Sequence, residues 1–221
     1  MESNKEPDQI FKVVILGDAS VGKSCFYDRY VYEKFSNSYI STIGVNVAVK
    51  FVESTFTEQT GSMFSKESVK RSTTTKLSIW DIAGQDKFAT MRKSYYGDVC
   101  GAFLLYDPGV LQSFKSLDTW RKEVNAAVKN KDYAPYTIVI ATKQDIKNGQ
   151  RVFNDQGMKY ATAINADFIP ISSKEGWNIE NAFNQMTRRM LLKSGKIGKN
   201  QYEEIGKASI KEIKGPYYFA P

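Results

Sequence analysis

Residues 13–24 read VVILGDASVGKS. Four apolar residues, Val13 to Leu16, run into a loop bounded by Gly17 and Gly22 that closes on Lys23 and Ser24. The apolar run has strand length, and VGKSCFYDRYVYEKF after it carries helical periodicity. The stretch is therefore strand, glycine-bounded turn, helix. Glycines at the turn let backbone N–H groups come against an anion without a Cβ in the way.

The pattern Gly17-x4-Gly22-Lys23-Ser24 fits a phosphate-binding loop. Lys23 would set a point charge on the β- and γ-phosphates of a nucleotide, and the Ser24 hydroxyl would take Mg2+. The helix beginning near Gly22 adds its positive end. Asp18, Ala19, Ser20, Val21, Gly22 and Cys25 complete the cradle. The loop predicts a bound phosphate chain but does not say which base is attached to it.

Working outward, the rest of the chain alternates. FKVVILG is the first strand, NVAVKFVESTF reads as a second and TKLSIWD as its partner. Between those two lies a Ser/Thr/Lys/Glu-rich connection, about residues 57–75, which reads either as an extended hairpin or as a mobile loop. GAFLLYD and TIVIAT are buried strands, and DFIPIS is a short one. LQSFKSLDTWRKEVNAAVKN, FNDQGMKYATAIN and NIENAFNQMTRRMLLK are amphipathic helices. Such alternation predicts an α/β domain with a mostly parallel sheet covered on both faces. Residues 1–10 read as a polar arm, 11–192 as the domain and 193–221 as a tail.

Composition narrows the chemistry. The 221 residues include 42% hydrophobic and 13% aromatic, enough for a sizeable core. There is no histidine, which rules out Ser-His-Asp and Cys-His catalysis. Two cysteines, Cys25 and Cys100, cannot supply a structural zinc site; they read as small core residues in a reducing, cytoplasmic setting. The net charge of +7 is spread along the chain, and no nucleic-acid partner is read from it.

Four more stretches follow in order. STIGV (41–45) offers the Thr42 hydroxyl to the metal and a backbone N–H to a γ-phosphate. WDIAGQ (80–85) follows a strand: Asp81 can hold Mg2+ through water, Gly84 can donate its N–H to the γ-phosphate, and Gln85 can orient an attacking water. In TKQD (142–145) the carboxylate can accept from guanine N1 and the exocyclic amine, donors that adenine lacks. SSK (172–174) can present a backbone N–H to the guanine oxygen.

With YISTIGV, WDIAGQDKF, SYYGDVCGAFLLYD and ISSKEG, the chain resembles a Ras-superfamily small GTPase, most closely of the Rab family, over about residues 10–192. The resemblance implies a P-loop fold of three α/β/α layers, a six-stranded mostly parallel sheet with one antiparallel strand, and about five helices. It implies GTP or GDP bound with Mg2+ held by Ser24, Thr42 and, through water, Asp81. Gln85 is the residue it assigns to hydrolysis. Thr142, Lys143 and Asp145 would read guanine beside Ser172, Ser173 and Lys174, and Phe35 would pack on the base, although by itself Phe35 reads as a core aromatic. Ile43, Val47, Trp80 and Tyr95 would face effectors. Slow hydrolysis, with exchange factors and GTPase-activating proteins as further partners, comes with the family.

Four departures from the Rab pattern matter. Thr142 stands where Rab relatives carry Asn, and makes fewer hydrogen bonds. Ala19 and Ser20 replace glycines of Ras-type loops, and the Ala19 methyl would crowd a partner's arginine. Asn46 and Val47 stand where relatives have Asp-Phe, so Val47 loses an aromatic anchor and the partner set should change. No cysteine follows Cys100, so no stable lipid anchor is expected, and membrane contact would come only through partners. Two readings stay open: a GTP-hydrolysing switch recruiting effectors in vesicle or ciliary transport, and a nucleotide-holding subunit of a cytoskeletal or ciliary assembly.

Overall fold

The computed structural model describes residues 6–38, 41–62, 65–128 and 134–209. Part of the N-terminal arm and the apolar end PYYFAP of the tail lie outside them. Six strands form one sheet: β1 (Gln9–Leu16), β2 (Val45–Ser62), β3 (Ser65–Ile82), β4 (Val99–Tyr106), β5 (Tyr136–Ala141) and β6 (Asp167–Pro170). Their order is β2-β3-β1-β4-β5-β6, with β2 antiparallel to β3 and the other pairs parallel. The α/β class, the single antiparallel strand and the two covered faces expected from the sequence are all present.

Hydrophobic burial explains the layering. Strands β1 and β4 are buried on both sides, so they read as apolar runs. One face of the sheet packs under α1 (Lys23–Tyr32), α6 (Ile179–Lys193) and α7 (Lys199–Ser209). Its centre is aromatic: Phe183 lies 4.8 Å from Phe26 and 4.9 Å from Phe103, ring centre to ring centre. The other face packs under α4 (Leu117–Ala127) and α5 (Asn154–Ala163). Short α2 (Ala89–Lys93) lies between two turns of 3-10 helix, and short α3 (Leu111–Lys115) runs directly into α4. The sequence predicts one helix across α3 and α4. The two meet at Ser116, where the ladder continues: its backbone N–H donates to the Gln112 carbonyl at 2.9 Å, its carbonyl accepts from Trp120 at 3.1 Å, and its hydroxyl also donates to Gln112 at 3.0 Å.

The polar connection is the extended hairpin. β2 and β3 pair in unbroken register from Val45↔Ile82 outward to Phe56↔Arg71 and beyond. α7, part of the segment read as a tail, packs along β2. The Glu204 carboxylate accepts from the Thr57 backbone N–H at 2.8 Å and from its hydroxyl at 2.6 Å. The Tyr202 ring lies against the Arg188 and Arg189 guanidiniums, 4.1 and 4.8 Å from its centre, and Ile205 enters the core. Among the described residues, no helix is long and apolar enough to cross a membrane.

Beneath α6, Asp167 is fully buried and accepts from Arg189 at 2.8 and 3.2 Å. Removing one partner of a buried pair strands the other charge, at a cost of about 3–5 kcal/mol. Asp167→Asn should therefore lower the urea-unfolding free energy by about 3 kcal/mol. A loss below about 1 kcal/mol would show that the pair does not hold α6 to β6.

Candidate functional site

The chain leaves β1, crosses to β3 on one side of it and later to β4 on the other. The crevice beyond the carboxyl end of β1 is thus the switch point of the sheet, where ligands of open α/β folds bind. All the sequence-predicted motifs gather there. Gly17 turns the chain out of β1 with φ 144°, and a Cβ on it would lie 2.3 Å from the Leu105 carbonyl oxygen. Ser20 (φ 66°) and Gly22 (φ 100°) take left-handed backbone and complete the loop. No side chain caps the first turn of α1 and no acidic residue sits in it, so its N–H groups face the loop.

Lys23 lies back over this loop. Its Nζ donates to the Gly17 carbonyl at 2.8 Å and to that of Asp18 at 2.6 Å. Burial lowers its pKa to about 8, and the nearby Asp81 and Asp18 carboxylates oppose that shift.

Three oxygens from three segments meet at the start of α1. Ser24 Oγ lies 2.7 Å from Thr42 Oγ1 and donates to Asp81 Oδ2 at 2.7 Å. Because the single Ser24 proton goes to Asp81, the Thr42 hydroxyl is the donor between the two. Asp81 is fully buried and its Oδ1 has no hydrogen-bond partner. Burial raises its pKa, against the pull of Ser24, Lys23 and Asn46. An orphaned carboxylate oxygen beside two hydroxyls is a hard-oxygen donor set that fits Mg2+. Among the described residues, no group of three or more His, Cys, Asp or Glu could hold a metal. Gly84 closes against the same place: a Cβ there would sit 2.4 Å from both Lys23 Nζ and the Gly17 carbonyl oxygen.

The two segments flanking the loop touch. Gln85 Nε2 donates to Ser41 Oγ at 2.6 Å. Gln85 is also held from behind, its carbonyl accepting from Arg92 at 3.1 Å. Arg92 is buried, paired with Glu123 at 2.7 and 2.9 Å, and packed over the Trp120 ring. Trp120 is a core residue and does a second thing: its Nε1 donates to Asp18 Oδ1 at 2.7 Å. A cleft of about 670 Å³ opens beside Ala19, Gln85, Arg92 and Trp120.

The base motifs stand on the far side of the loop. The Thr142 hydroxyl is buried within 2.7 Å of the Val21 carbonyl and 2.9 Å of that of Tyr106. With one proton it serves them in turn, tying the end of β5 to the phosphate loop. Lys143 does the same from outside, donating to Ser20 O at 3.0 Å and to Asp107 at 2.6 Å. The Ser172 hydroxyl donates to Asp145 Oδ1 at 2.7 Å. Arg29 on α1 donates to the Ser173 carbonyl at 2.6 Å and also to that of Lys174, and its guanidinium lies 5.9 Å from the Phe35 ring centre. Phe35 is outside both core clusters. Cys25 and Cys100 are free and half-buried, and burial pushes both thiols up.

Of the four residues expected to face effectors, three are brought together. Val47 lies opposite Trp80 across the hairpin, and the Trp80 and Tyr95 ring centres are 5.8 Å apart. Ile43 is 83% exposed. Val49 and Phe51 continue the same outer face of β2, both exposed. The sequence reading missed Arg29, Arg92 and the polar role of Trp120.

The Ras family model matches residues 12–192. The chain is 34% identical to the Arabidopsis thaliana Ras-related protein RABD2b, over 83% of this chain and 82% of that protein. It is 32% identical to the Mesocricetus auratus Ras-related protein Rab-13, over 86% and 85%. The Zea mays GTP-binding protein YPTM1 is 31% identical over 96% of this chain and 92% of its own length.

Proposed function

The chain belongs to the Ras family as a Rab-like small GTPase that binds GTP or GDP and hydrolyses GTP, and we propose that it works as a switch whose two flanking segments report the γ-phosphate. The observation that carries this is the junction at Ser24. Thr42 from the first segment and Asp81 from the second meet on one hydroxyl, and Gln85 bonds Ser41 across the same gap. Whatever binds there is felt by both segments at once.

In this reading Lys23, the N–H groups of Asp18 to Ser24 and the start of α1 bind the phosphates. Ser24 and Thr42, with Asp81 through water, would hold Mg2+, which would supply neutralisation of phosphate charge when bound. Gln85 would orient the attacking water, and Arg92 and Ser41 limit where its backbone and amide can go. Asp145, fixed by Ser172, would read guanine, and Arg29 would hold the SSK loop and Phe35 beside the base. Effector, exchange-factor and GTPase-activating partners belong to the same proposal, as does a role in vesicle or ciliary transport. Val47, in place of an aromatic anchor, supports an altered effector set.

Gln85→Leu tests the catalytic assignment. Losing the group that positions the water should cut single-turnover hydrolysis about 10–100-fold and leave GDP affinity unchanged. Hydrolysis within twofold of the parent would remove Gln85 from the mechanism. One observation favours the second reading, a nucleotide-holding subunit: α7 is packed along β2, the strand between the two switch segments. Nucleotide released from the purified native protein separates the two. Mostly GDP means a cycling switch; mostly GTP means a locked subunit.

A further inference from the structure

Asn46 departs from the Asp usual at this position in Rab relatives, and the structure gives it work. Asn46 and Asp81 are direct partners across the antiparallel ladder of β2 and β3, so their side chains rise on one face of the sheet. Asn46 Nδ2 donates to Asp81 Oδ2 at 3.2 Å, the oxygen that Ser24 also donates to at 2.7 Å. Two donors on Oδ2 fix the carboxylate plane. The oxygen left over is Oδ1, buried and without a partner.

We propose that Asn46 is a positioning residue for the metal site, holding Asp81 by Oδ2 so that Oδ1 is left free for the water through which Asp81 would hold Mg2+. An Asp at 46 offers no such donor and sets a like charge directly opposite Asp81, which disfavours the pair. The neutral amide contributes orientation without adding charge, as partners of metal ligands commonly do. The inference rests on the proposed metal role of Asp81.

The test is release of a fluorescent GDP from the full chain as free Mg2+ is varied. Asn46→Ala and Asn46→Leu both remove the donor, and the Leu variant keeps the bulk. The Mg2+ concentration at half-maximal retention should rise about tenfold in each. Release in EDTA and release at saturating Mg2+ should match the parent. A midpoint within twofold of the parent, or faster release by the same factor with and without Mg2+, overturns the proposal. Asp81→Ala run alongside keeps the two failures apart. If it leaves the Mg2+ dependence unchanged, the metal role of Asp81 itself is wrong. If it abolishes that dependence while the Asn46 variants behave as the parent, only the positioning role fails.

Discussion

Lys23→Met should weaken GDP and GTP binding by about 10²–10³-fold, read by titration calorimetry or by competition against a fluorescent nucleotide. Removing one partner from a buried, hydrogen-bonded charge pair costs about 2–5 kcal/mol, which brackets the roughly 2.7–4.1 kcal/mol that this loss represents. The geometry makes Lys23 a strong case. It is 6% exposed and already aimed along the loop, on the carbonyls of Gly17 and Asp18. The side chain is therefore held in place before any phosphate arrives, and little ordering remains to oppose binding. Met keeps the length of the chain but leaves both carbonyls without their donor. Affinity within tenfold of the parent would mean that the N–H groups of the loop and α1 carry the phosphates alone.

The same lysine sets a pH dependence with a definite sign. Burial lowers its pKa to about 8. Phosphates favour the charged form, so nucleotide binding raises that pKa. Above pH 8 binding must take up a proton, and affinity should fall by up to about tenfold per pH unit. Below pH 7 it should be flat, and in Lys23→Met the slope should vanish. Stability moves the other way. A folded-state pKa below the ordinary lysine value means the unfolded chain binds more protons, so this residue's cost to folding is fully present below about pH 8 and lifts as pH rises from about 8 to the ordinary lysine value of 10.5.

The core of the fold and the outline of the site were legible because both are local in sequence. A loop between strand and helix, and motifs at strand ends, carry their own context. What was hidden depends on contacts between distant residues. Arg29 reaches a carbonyl 144 positions on, and Trp120 bonds a carboxylate 102 positions back. Nothing near either residue announces the partner. Helix α2 is five residues long, too short to show a period. α7 read as a tail because lysines and a glycine dilute the two side chains, Tyr202 and Ile205, that hold it to the body. The hairpin was ambiguous because much of its outer half alternates polar with polar, and only a partner strand or a covering helix decides such a stretch.

Asp145→Asn should exchange guanine for xanthine specificity, with GDP affinity falling about 10³–10⁵-fold and xanthosine diphosphate becoming the preferred ligand. A carboxylate accepts from guanine N1–H and the exocyclic amine; an amide meeting that amine sets donor against donor in a desolvated site. Xanthine carries a carbonyl there, which the amide can serve. Which way the amide points is decided by Ser172. Its hydroxyl already accepts from the Glu175 backbone N–H at 3.1 Å and donates to Asp145 Oδ1 at 2.7 Å. An amide at 145 keeps that bond only with its oxygen toward Ser172, which turns its nitrogen to the base. The substitution therefore reverses the reading instead of merely weakening it. Competition between the two diphosphates for a fluorescent ligand measures the exchange. Equal loss of both would mean that Asp145 holds the loop in shape, and unchanged GDP affinity would mean that the base lies elsewhere.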